Sequence, residues 1–144
     1  MIHRILQTIF CDDIRHETSG KLTLVGVYSD SLVVSTLPVT LPRLCLVARL
    51  LSPMNEAPSA VKLRIFRGEE LLQEVVANEI AQPTHRPTDN TQVQIVQFLV
   101  ESPTFEVATP CVLRIHTEMD GGEIYGAPLN IQVMQTAGST NTLQ

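Results

Sequence analysis

The chain has 144 residues, 44% of them apolar and only 17% charged, and its 10 Lys and Arg against 15 Asp and Glu leave a net charge of -5. So apolar a composition excludes a disordered chain, and a chain of this length buries about 70% of its unfolded surface, enough for one compact domain. The acid excess leaves no basic stripe to neutralise phosphates, which excludes nucleic acid as the main partner.

Dense β-branching and period-two alternation mark half-buried strands along the chain. The opening segment is interrupted by Arg4 and Gln7 and runs into Asp12 and Asp13, so it lacks the apolar stretch of a secretion signal. It predicts instead a first strand over residues 5–11. A polar stretch closing on Ser19-Gly20 turns the chain into a second strand over 21–28, and a short third follows over 32–35. The most lipid-like window, 32–51, is broken by Pro38, Pro42, Arg43 and Arg49, so no membrane span is expected.

Residues 42–51 are nearly continuously apolar and predict a central strand buried on both faces. A loop over 52–59 leads to a strand on which Val61, Leu63 and Ile65 alternate with Lys62, Arg64 and Phe66. After the Arg67-Gly68-Glu69 turn, Leu71, Leu72, Val75, Val76 and Ile80 fit a helical face nearly as well as a strand. The β surroundings favour a strand over 69–80. Residues 82–91 are a polar, proline-punctuated loop. Over 92–100 the phase slips, with Val93 and Ile95 on one parity and Val96, Phe98 and Val100 on the other. Such a slip requires a bulge or burial on both sides.

The cleanest alternation runs over 111–119: Cys111, Leu113, Ile115 and Met119 face inward, while Val112, Arg114, His116 and Glu118 face water. Asp120-Gly121-Gly122 then turns the chain into a returning strand that carries Leu129, Ile131 and Val133 on one face. About eight strands with short connections predict an all-β fold, a two-sheet antiparallel β-sandwich of immunoglobulin-like type. It occupies residues 1–135 as a single domain, and 136–144 form a polar C-terminal tail.

Cys11, Cys45 and Cys111 are odd in number and sit in apolar surroundings, and they read as buried thiols of a reducing, cytoplasmic compartment. The spacing of Cys45 and Cys111 matches an inter-sheet bridge, but the chain has no Trp to pack against one. No Gly-rich phosphate loop, nucleophile elbow, Cys-x-x-Cys or His-Glu-x-x-His is present. The expectation is therefore a protein without enzymatic activity, with no cofactor and no assigned catalytic residue.

One cluster carries chemistry. Asp12, Asp13 and His16 at the end of the first strand offer oxygen and imidazole ligands suited to Mn, Zn or Mg. An ion there would activate water, which makes a metal-dependent hydrolase or small-ligand binder the alternative. Neighbours in an extended chain point to opposite faces, however, so Asp12 and Asp13 cannot chelate together without a turn. A solvated strand end whose acids pair with Arg15 or with neighbouring amides is the simpler reading, and the histidines have no ligand-like spacing. A small-ligand pocket among strand-end loops, with residues 82–91, is a third.

The outward row Arg114, His116 and Glu118, with Phe66 on an otherwise polar parity, forms the candidate interaction surface. Eight of the 10 basic residues are Arg, the cation enriched at protein interfaces. The expected partner is a protein or a second copy, a homodimer joined by its edge strands, with neither nucleic acid nor membrane.

Three segments carry a family pattern: Phe10-Cys11-Asp12-Asp13-Ile14-Arg15, then Gly20-Lys21-Leu22-Thr23-Leu24-Val25-Gly26-Val27-Tyr28, then Leu41-Pro42-Arg43-Leu44-Cys45-Leu46-Val47-Ala48-Arg49-Leu50. The chain resembles an uncharacterised bacterial family, a domain of unknown function. The resemblance implies a small cytoplasmic β-sandwich, and it brings no activity and no catalytic residue with it. Gly20-Lys21 is not a phosphate loop, since Leu22 and a strand follow instead of Ser or Thr and a helix.

Overall fold

A computed structural model describes residues 3–80, 92–120 and 122–135. The loop expected over 82–91, Gly121 of the expected turn and the tail expected over 136–144 lie outside the described residues. The strands are β1 (Ile5–His16), β2 (Leu22–Val27), β3 (Ser31–Val34), β4 (Val39–Leu41), β5 (Leu44–Pro53), β6 (Val61–Arg67), β7 (Glu70–Ala77), β8 (Val93–Ser102), β9 (Phe105–Val107), β10 (Cys111–Met119), β11 (Gly122–Tyr125) and β12 (Leu129–Val133). A 3₁₀ turn over Met54–Glu56 follows β5, and no helix among the described residues is long and apolar enough to cross a membrane.

The fold is all-β and sandwich-like. One sheet has the order β2-β1-β5-β8; the second runs β3-β12-β10-β6-β7, with β11 also paired to β10. Between them lie Leu6, Phe10, Leu46, Ala48, Leu50 and Phe98 from the first sheet, and Leu63, Ile65, Leu113, Ile115, Leu129 and Ile131 from the second. These positions follow the period-two alternation of their strands, which sends every second side chain to one face. β5 is buried on both faces along most of its length, as its continuous apolar run requires.

Three features differ from expectation. There are twelve strands among the described residues where about eight are expected, partly because β4 and β9 are three-residue strands that pair only with each other. Three residues carry too little alternation to be recognised. The pairing is not wholly antiparallel, since β12 runs parallel to β3. The returning strand is also split: His116 faces Tyr125 but Leu113 faces Leu129, so three steps along β10 match four along the returning chain.

The extra residue is taken up at Gly126-Ala127-Pro128, where the sheets approach closely. A Cβ at Gly126 would collide with Thr8 Cγ2 and lie 3.2 Å from its Oγ1, and the Thr8 hydroxyl donates to the Ala127 carbonyl at 2.6 Å. Glycine is therefore needed there for close approach. The phase slip over 92–100 is not a bulge, because β8 pairs with β5 in unbroken register from Val93↔Pro53 to Ser102↔Leu44. Phe98 and Val100 face the core, and Ile95 and Leu99 lie exposed on the other face. The 69–80 segment contains strand β7, as the β surroundings favour.

Candidate functional site

β1 does not stop near Cys11. Its ladder with β2 continues through Asp13↔Val25, Ile14↔Leu24, Arg15↔Thr23 and His16↔Leu22. Cys11, Cys45 and Val47 point away from the main core, alternating with Phe10 and Leu46. Ile14, Leu22 and Leu24 pack against them, so the far end of the β1–β2 hairpin lies across the outer face of the four-stranded sheet.

Asp12 is held where this arm leaves the sheet. Gly26 has φ 67°, and a Cβ there would lie 2.8 Å from Asp12 Cγ. Only glycine takes this backbone readily and leaves room for the carboxylate. The Tyr28 hydroxyl donates to Asp12 Oδ1. Burial, followed by this bond, pushes the Tyr28 phenol up to about 12.

Asp13 lies in a different place. Its Oδ1 accepts from the Ile14 amide at 2.9 Å and pairs with Arg43 Nε at 2.9 Å, while Arg43 Nη2 reaches Glu101 Oε1 at 2.8 Å. Asp13, Cys45 and Glu101 bring ligand atoms within 4.8 Å of one another, the one such group among the described residues. Arg43 already holds both of its carboxylates. His16 is exposed near the end of β1. Asp12 and Asp13 thus take separate partners on opposite faces, as the alternation of a strand demands, and Asp12, Asp13 and His16 form no ligand group among the described residues.

The cysteines are free. Cys11 and Cys45 face each other across β1 and β5. Burial first, then the neighbouring Cys45, pushes the Cys11 thiol up to about 11, which keeps it protonated and unreactive near neutral pH.

The outward row on the six-stranded sheet is built differently from expectation. His116 lies on the outer face, yet only 8% of it is exposed. The cause is its cross-strand neighbour: Tyr125 stacks on the imidazole at 5.2 Å and 7°, and Phe66 tilts against it at 4.9 Å and 46°. Both ring nitrogens are buried without a hydrogen-bond partner among the described residues, and the Glu123 carboxylate stands 3.6 Å from Nδ1. Phe66 is half-buried and faces Arg114 across the strands.

Arg114 is exposed, whereas Glu118 is half-buried and paired with Arg64 at 2.9 Å. Arg64 in turn holds Glu74 at 2.9 Å, so a charge ladder crosses three strands beside the aromatic group. Phe66, Gly68, Glu69, Arg114, His116 and Tyr125 enclose a shallow pocket of about 210 Å³. Tyr125, the most exposed of the aromatics at 67%, is absent from the sequence reading. Its signal was available, because the register that pairs Met119 with Gly122 also places Tyr125 opposite His116.

Residues 7–132 match the model of a family described as a family of unknown function (DUF6941). The match covers all three segments that carry the sequence resemblance. No curated protein matches the chain.

Proposed function

We propose that this chain, which belongs to that family of unknown function, is a non-enzymatic β-sandwich that acts by binding another protein through the aromatic patch on its six-stranded sheet. The observation that carries this reading is Tyr125, two-thirds exposed and lying flat over a His116 whose ring nitrogens have no hydrogen-bond partner among the described residues. Aromatic residues and Arg are the anchors of interface centres, and Phe66 and Arg114 stand beside it. The absence of activity is supported by the state of the reactive groups: Asp12 and Asp13 are held by Tyr28 and Arg43, and the Cys11 thiol is protonated near neutral pH.

A second copy is an admissible partner through another element. Among the described residues β8 is an edge strand, and it carries Glu101 as its one charge, with no Lys, Arg or Pro to blunt the edge. Two copies of β8 paired antiparallel about Gln97 would set Ile95 of one against Leu99 of the other, a self-complementary contact.

Sedimentation of the purified chain, combined with affinity capture from its native cell lysate, tests the reading. Wild type forms a defined dimer or retains a discrete partner, and Tyr125→Ala/Arg114→Ala loses it. A dimer that survives this change but dissociates on Leu99→Lys assigns self-association to β8. A monomer that retains nothing, or a partner kept equally by the patch variant, overturns the patch.

A further inference from the structure

On the opposite sheet, under the arm formed by the β1–β2 hairpin, lies a groove of about 450 Å³. This is within the size range of small-molecule sites, about 300–1,000 Å³. Ile9, Val47, Arg49 and Gln97 come from β1, β5 and β8, and Leu22, Leu24 and Lys21 from the hairpin. Its apolar side chains are all aliphatic. Among the described residues, its two charged lining residues are both cations and no carboxylate lines it, in a chain whose net charge is -5.

Neither cation is neutralised: among the described residues, Lys21 and Arg49 take part in no ion pair. Arg49 stands in register between Gln7 on β1 and Gln97 on β8, so amides flank it rather than acids. Its Nε is buried and has no hydrogen-bond partner among the described residues. A carboxylate matches the planar fork of a guanidinium that no acid of the described residues holds. Arg49 is also an interruption in the apolar run of β5.

We infer that this groove binds a small aliphatic carboxylate. The carboxylate accepts hydrogen bonds from the Arg49 guanidinium, Lys21 supplies the second positive charge, and the hydrocarbon chain lies along Ile9, Val47, Leu22 and Leu24. The site is independent of the aromatic patch, and its test leaves Tyr125 untouched.

The experiment is an amide NMR titration of the full chain with sodium octanoate, with 1-octanol and with an end-blocked Val-Glu-Val peptide. Octanoate is expected to shift the amides of Ile9, Val47 and Gln97 saturably, with octanol and the peptide each about tenfold weaker or more. Arg49→Gln loses about tenfold in octanoate affinity while octanol is unaffected, and Arg49→Lys recovers part of the loss. Should Arg49→Gln fail to fold, Lys21→Gln at the exposed hairpin turn carries the test with a smaller loss. Equal binding of octanol, tighter binding of the peptide, unchanged affinity in the foldable cation variant, or no saturable shift each overturns the inference.

Discussion

Replacing Gly26 by Ala asks whether Asp12 is a structural clamp of the β1–β2 arm. Gly26 has φ 67°, and an L-residue in the left-handed region costs about 1–2 kcal/mol. The new Cβ would also stand 2.8 Å from Asp12 Cγ and 3.1 Å from its Cβ, displacing the carboxylate from the Tyr28 hydroxyl. A hydrogen bond to a charged group is worth about 1.5–3 kcal/mol when buried, and solvent reduces it here to about 1 kcal/mol because Asp12 is exposed. The expected loss is about 2–3 kcal/mol, which for a chain of this size lowers Tm by roughly 6–10 °C.

Urea denaturation of four proteins isolates the contact: wild type, Asp12→Ala, Gly26→Ala and the double variant. Asp12→Ala alone loses about 1 kcal/mol. The double variant loses no more than Gly26→Ala, because the bond is removed only once, so the two changes couple by about 1 kcal/mol. Additive losses, or a Gly26→Ala loss under about 0.5 kcal/mol, would refute the clamp.

Two further outcomes follow from the same geometry. Cys11 and Tyr28 hold their protons more tightly in the folded chain, at about 11 against an ordinary 9.0 and about 12 against an ordinary 10.0. Their stabilisation is therefore intact below about pH 9 and lost as pH rises, over 9–11 for Cys11 and 10–12 for Tyr28. Urea midpoints should fall across that window, and Tyr28→Phe should flatten its upper part; an unchanged slope in the variant counts against the assignment. Leu113→Ala, at a position 2% exposed between the sheets, should cost about 2–5 kcal/mol. Val27→Ala at the exposed edge strand should stay within about 0.5 kcal/mol, and comparable losses in the two would contradict the placement of the core.

Alternation is a property of a few consecutive residues, and where it runs long enough it needs no structure to be understood. Val61, Leu63 and Ile65 against Lys62 and Arg64 define the two faces of β6, and Leu113 and Ile115 against Arg114 those of β10. The doubly buried β5 is legible from the continuous apolar run over residues 42–51, and the family pattern from three short segments. The 92–100 segment was legible only as a choice, and unbroken pairing with β5 selects two apolar faces over a bulge.

Alternation says which side of a sheet a residue takes, not what lies against it. That Tyr125 covers His116, that Tyr28 and Gly26 hold Asp12, and that Arg43 joins Asp13 to Glu101 are contacts between separate segments of the chain. The same holds for Arg49, an anomaly in an apolar run until the hairpin carrying Lys21, Leu22 and Leu24 is laid across its face. The longer strands and their inward faces were thus determined by the sequence itself, because local sterics and side-chain polarity act within each strand. The partners of each polar side chain were decided only by the tertiary structure, because they depend on how strands distant in the chain come together.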